Sequence, residues 1–96
     1  MKPSFAFQNH RDAIRRIVEA NHTRNPRVFG SVAAGEDSEE SDLDILVDPL
    51  PETTLFDIGS IRSELAALLG VPVDVLTPDA LPVRIRDAVL ASAVPV

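Results

Sequence analysis

Leu43, Ile45 and Val47 alternate with Asp42, Asp44, Leu46 and Asp48, the period-two pattern of a strand with one apolar face and one largely acidic face. Asp48-Pro49 ends that run. Thr54 or Asp57 is suited to cap a following helix, which carries Ile58, Ile61, Leu65, Leu68 and Leu69 on one side and closes at Gly70. Val73 to Leu76 reads as a further strand, and Thr77-Pro78-Asp79 turns the chain. Pro82 suits the first turn of a last helix, for which Ile85, Ala88 and Val89 supply an inward stripe. Upstream, Asn9 is a cap for a first helix with Asp12 in its first turn. Its apolar positions Ile14, Ile17 and Val18 recur at helical spacing, and it ends near Asn21. Asn25-Pro26 reads as a turn, and Arg27-Val28-Phe29 as a short buried strand running into Gly30.

The order helix, strand, strand, helix, strand, helix predicts an α/β fold, a small sheet packed with helices. Ninety-six residues form one domain, 1–96, with no internal repeat, low-complexity tract or linker. Apolar residues make up 45 % of the chain, enough for a single core, and without Trp or Tyr that core is built from Leu, Val, Ile, Ala and four Phe. Zero cysteines exclude disulfides and thiolate metal sites. No apolar run approaches the roughly 20 residues that span a bilayer, and no charged segment precedes an apolar one at the N-terminus, so a cytoplasmic location is expected. Residues 93 to 96 read as a loose end, apolar enough at Val94-Pro95-Val96 to rest on a partner.

The formal charge of −6 argues against non-specific binding to nucleic acid, which is held mainly by lysines and arginines. Its distribution says more. Residues 1 to 27 hold six bases (Lys2, Arg11, Arg15, Arg16, Arg24 and Arg27) against Asp12 and Glu19, whereas residues 28 to 61 hold nine acids and no Lys or Arg. A concentrated negative field implies a cation, a basic partner, or both. The most acidic part, Glu36, Asp37, Glu39 and Glu40, reads as a solvated loop. An EF-hand is excluded by the missing mid-loop glycine and the offsets of the acids, and a P-loop by the lack of a Gly-Lys-Ser/Thr sequence. His10 and His22, at the two ends of the first helix, read as surface residues. Arg11, Arg15 and Arg16 read as a solvated helix face.

The candidate chemistry lies at the ends of the acidic stretch. Residues two apart on a strand share a face, so Asp42 and Asp44 hold their carboxylates side by side while Leu43 and Ile45 anchor them to the core. Alone, an Asp-x-Asp pair is most simply a solvent-facing strand edge. Two adjacent carboxylates repel, however, and a hard divalent cation relieves that repulsion; Mg²⁺ in particular takes a few carboxylate oxygens completed by water and phosphate. Gly30-Ser31, at the end of a strand, adds a phosphate side. A residue without Cβ admits a phosphate to the backbone, and Ser31, if it opens a helical turn, offers hydroxyl and amide donors. Asp74, in the apolar run Pro72-Val73-Asp74-Val75-Leu76, completes a two-metal site and can accept a proton from an attacking hydroxyl if its strand neighbours that of Asp42 and Asp44.

Phe29-Gly30-Ser31 followed after nine residues by Ser41-Asp42-Leu43-Asp44-Ile45-Leu46-Val47 resembles the signature of the DNA polymerase β-like nucleotidyltransferase superfamily. In length and in its remaining landmarks the chain is similar to the minimal nucleotidyltransferases (MNT), the antitoxin partners of HEPN toxins. The resemblance implies a small mixed sheet in the minimal form of that fold, with Gly30, Ser31 and Ser41 on the nucleotide and Asp42, Asp44 and Asp74 binding two Mg²⁺ ions. It implies transfer of AMP from ATP to a hydroxyl of a cognate HEPN ribonuclease toxin, with the acceptor arriving on another protein. One position departs from the pattern. Relatives often read Gly-Ser-x-Ala-Arg-Gly, whereas this chain has Ala34 before Gly35. An arginine on phosphate is a charge-assisted bidentate contact, so its loss weakens nucleotide binding unless Arg62, Arg84 or a toxin residue substitutes. The alternative expectation is an MNT-fold antitoxin that inhibits by binding alone.

Overall fold

The computed structural model describes residues 1–96. Its elements are α1 (Pro3–Asn9), α2 (Arg11–Ala20), β1 (Thr23–Phe29), α3 (Ser31–Ala34), β2 (Leu43–Pro49), α4 (Leu55–Leu69), β3 (Val73–Leu76), a 3₁₀ turn (Pro78–Ala80), α5 (Val83–Ser92) and β4 (Val94–Pro95). The sheet order is β3-β2-β1-β4; β2 pairs antiparallel with β1 and parallel with β3, and β4 pairs antiparallel with β1, so the sheet is mixed. The α/β expectation holds.

One face of the sheet carries the core. Val28, Leu43, Ile45, Val47, Val73 and Val75 pack there with Ala6 and Phe7 of α1, Ile14 and Val18 of α2, and Ile61, Leu65 and Leu69 of α4. Strand alternation sends Asp44, Leu46 and Asp48 to the opposite face. Leu46 is nevertheless fully buried, as Leu81 nearly is, although neither belongs to the main core. α4 is the element its local sequence specifies best. Thr54 and Asp57 form a reciprocal capping box at its start, and Gly70 closes it in the left-handed conformation at φ 69°.

Several expectations are corrected. The single helix capped by Asn9 is two helices broken at His10, and α1 begins at Pro3 under a cap from far away: the backbone N–H of Ser4 donates to Asp37 Oδ2 at 2.9 Å. Asp37 is therefore a structural cap and not merely part of a solvated loop. Asn25-Pro26 is not a chain reversal but a bulge inside a longer β1. The register with β2 shifts between Arg24 and Arg27, Asn25 takes φ 55°, and Asp48 accepts from both Asn25 and Arg27 at 3.0 Å.

Residues 93 to 96 are not loose. β4 pairs with Arg27 and Val28, Val96 N–H donates to Pro26 O, and Arg11 and Arg15 donate to the carbonyls of Pro95 and Val96. Those two arginines thus hold the sheet edge, leaving Arg16 as the exposed member of the cluster. Finally, α5 buries no residue: Ile85 is 40 % exposed and Ala88 is exposed. Its connection runs from the β3 edge to the β4 edge, so it crosses the sheet without burying a stripe.

Candidate active site

The parallel register of β2 and β3 sets Leu43 opposite Val73 and Asp44 opposite Asp74. On its other side Asp44 lies opposite Phe29, the last residue of β1. One end of the sheet therefore brings together the exit of β1, where Gly30 follows, the entry of β2 and the entry of β3. Asp42 stands just ahead of β2 and is exposed; Asp44 is half-buried and Asp74 exposed.

Gly30 is required here for two independent reasons. Its φ of 72° and ψ of −146° fall in a region essentially restricted to glycine, and a Cβ on it would overlap Asp44 Oδ2. The bare backbone at Gly30 thus lies directly against the Asp44 carboxylate. Ser31 then opens a real helical turn, α3, closed by Gly35 at φ 72° with its N–H directed to the Ser31 and Val32 carbonyls. The amides at the start of that turn and the Ser31 hydroxyl are the donors offered to an anion.

Asp44 has its carboxyl pushed above the ordinary range, first by burial, then by the charge of Asp74, then by that of Asp42. The three carboxylates share one field, yet they do not close into a ready-made metal cluster. Their chemistry fits a hard cation: hard oxygen donors and mutual repulsion, beside a glycine backbone with no Cβ. A cation among them would reverse the upward push on Asp44.

Ser41 is already engaged. Its Oγ accepts from the Ser38 N–H at 2.9 Å, and its own N–H donates to Ser38 O at 3.1 Å, forming a tight turn immediately before Asp42. Ala34 is exposed on α3. Arg62 is exposed on α4, and Arg84 enters α5 after β3 has run to the opposite end of the sheet. Sequence reasoning missed the cap of α1 by Asp37, and only the pairing of distant segments reveals it.

A model of the nucleotidyltransferase domain family matches residues 10–96. The chain is 41 % identical over 80 residues to the protein adenylyltransferase MntA of Thermococcus cleftensis, covering 83 % of this chain and 81 % of that protein. A solved structure described as a minimal nucleotidyltransferase superposes with a TM-score of 0.87 at 38 % identity, covering 97 % of this chain and 95 % of the other. A toxin-antitoxin structure with AMP-PNP shares the fold at a TM-score of 0.73 and 20 % identity, over 88 % of this chain and 69 % of that one. With Gly30 set against Asp44 and Asp44 paired with Asp74, this chain belongs to the nucleotidyltransferase domain family and has the minimal nucleotidyltransferase fold.

Proposed function

We propose that this chain transfers AMP from ATP to a hydroxyl of a partner HEPN-type ribonuclease toxin and thereby neutralises it. The observation that carries this reading is the register that sets Asp44 between Gly30 and Asp74 at one open sheet end. The adenylyltransferase named in the Thermococcus relative supports the reaction class, and the AMP-PNP-bound toxin-antitoxin neighbour supports both nucleotide and partner.

Gly30 and Ser31 receive the β- and γ-phosphates through backbone amides and the serine hydroxyl. Asp42, Asp44 and Asp74 would hold two Mg²⁺ ions, which would supply charge to offset the triphosphate and the attacking and leaving oxygens. The acceptor hydroxyl oxygen forms a bond to the α-phosphorus while the bond from that phosphorus to the bridging oxygen breaks, and pyrophosphate leaves. Asp74 is the carboxylate that accepts the hydroxyl proton. Ser41 serves the nucleotide side by holding the turn from which Asp42 projects. The chain supplies position and charge, with no covalent intermediate of its own. Apolar side chains left bare, Leu55 and Phe56 at 89 % and 88 % exposure among them, suit a protein that works against a partner.

A second reading, inhibition of the toxin by binding alone, is favoured by Ala34, which removes a base from the phosphate side. Incubation with the protein encoded beside it, Mg²⁺ and α-labelled ATP separates the two. Transfer of label to the partner, absent with Asp42→Ala/Asp44→Ala, supports the enzyme. Ribonuclease inhibition in a stable complex without label supports the binding antitoxin and ends the catalytic reading.

A further inference from the structure

We infer that Lys2 supplies the cationic contact to the terminal phosphates that Ala34 does not, an inference resting on the nucleotide reading above. A triphosphate entering at Gly30 meets the segment of the chain that holds nine acids and no Lys or Arg between residues 28 and 61. A base from elsewhere in the chain would add to the charge that bound Mg²⁺ supplies there.

Most of the nine bases are already committed or stand elsewhere. Arg11 and Arg15 hold the carbonyls of Pro95 and Val96, Arg27 is paired with Asp48, and Arg86 donates to the carbonyls of Asp79 and Leu81. Arg24 lies beside Asp48 in the β1–β2 register, and Arg84 enters α5; both are at the sheet end away from Gly30. Arg16 and Arg62 lie on the exposed faces of α2 and α4.

Lys2 is different because the fold carries it to the loop that leaves α3. It is the residue before α1, two positions ahead of Ser4, whose N–H is bonded to Asp37 at 2.9 Å. Asp37 lies two residues past Gly35, the end of the turn that Ser31 opens. Ser4, Phe7 and Gln8 of α1 also line one recess with Val32 and Ala33 of α3, so the two elements lie side by side. Asp37 is held below its ordinary range first by the Ser4 N–H, with the Lys2 charge acting in the same direction. The Lys2 side chain is exposed and makes no capping bond to α1, which leaves its ammonium free to meet an incoming phosphate. Asp37 thereby docks α1, with Lys2 just ahead of it, beside the turn that Ser31 opens, and the base absent at position 34 returns from the N-terminal segment.

Calorimetric titration of the whole chain with ATP and with AMP, both with Mg²⁺, tests this on wild type, Lys2→Ala, Lys2→Arg and Lys2→Ala/Ala34→Arg. The expected result is about a tenfold loss of ATP affinity in Lys2→Ala, as for one charge-assisted phosphate contact, with AMP affinity changed by less than about twofold. Lys2→Arg retains ATP binding, and Ala34→Arg restores it in the Lys2→Ala background. Unchanged ATP affinity in Lys2→Ala overturns the inference, and so does an equal loss for ATP and AMP, which would report a structural role. Wild type that binds ATP only when Asp42 and Asp44 are intact keeps the nucleotide reading standing whichever way Lys2 behaves. Wild type that binds no ATP overturns both.

Discussion

At Asp44 two demands on one side chain conflict. Burial and the charges of Asp74 and Asp42 raise its pKa, so in the carboxylate range the folded protein holds more protons than the unfolded chain. The stability linked to this group is fully present below the ordinary carboxylate pKa and is lost as pH rises through the raised folded value. Asp44→Asn removes that penalty. Thermal melting without metal should show the variant a few degrees more stable than wild type at pH 7, with the gain vanishing near pH 3, while nucleotidyl transfer is abolished. A variant less stable than wild type at pH 7 would mean that Asp44 is there for packing. Gly30 shows the reverse balance: Gly30→Ala should cost about 1–3 kcal/mol in urea denaturation, because the backbone conformation is strained for any L side chain and the new Cβ displaces the Asp44 carboxylate. Activity should fall more than stability does, since the group displaced is the carboxylate proposed to hold the metal.

Among the elements, those whose determinants are local were legible from the chain and the others were not. β3 spans Val73–Leu76 as its apolar run indicates, and α4 lies between the Thr54 cap and Gly70 because both ends are written within a few residues of it. Thr54→Ala should therefore cost about 1 kcal/mol by urea denaturation, the usual value of an N-cap. Asp57, the other half of that box, is held below its ordinary pKa first by the Thr54 N–H and then by His22, so its contribution is present above the ordinary carboxylate range and fades as pH falls through the lowered value. The difference between wild type and Asp57→Asn should accordingly shrink toward pH 2, and a constant difference would rule out the ionised cap. In contrast, α1 starts where Asp37 caps it from 33 residues away, and β4 pairs with β1 where arginines 84 and 81 residues earlier hold the carbonyls of Pro95 and Val96. No window of sequence contains those partners. The same division runs through the site. Gly30, Ser31, Asp42, Asp44 and Asp74 could be named from residue type and spacing, but that Asp74 stands opposite Asp44 is a matter of strand pairing, which period-two alternation leaves open.

Across the whole molecule the separation of charge along the chain becomes a separation in space. Two arginines of the basic first segment are consumed in fastening β4, while Asp42, Asp44 and Asp74 gather at the open end of the sheet around a bare glycine backbone. A polyanionic nucleotide approaching that end alone is repelled, and a divalent cation arriving alone finds carboxylates that have not closed into a cluster. On the proposed reading each ligand lacks what the other provides and their binding should be coupled: a cation would offset the carboxylates for the triphosphate, and the phosphate oxygens would complete the cation's coordination shell. Stabilisation by a ligand that binds only the folded state follows mass action, about 2.7 kcal/mol at a hundred times its Kd, which for a chain of this size raises Tm by about 10 °C or more. The expected pattern is a small shift with Mg²⁺ alone, a small shift with ATP and a chelator, and a shift well beyond their sum with both together. Asp42→Ala/Asp44→Ala should abolish the excess while leaving the melting transition cooperative. Equal stabilisation by ATP with and without Mg²⁺ would mean that the nucleotide is held by bases alone, and the carboxylate end of the sheet would then need a different explanation.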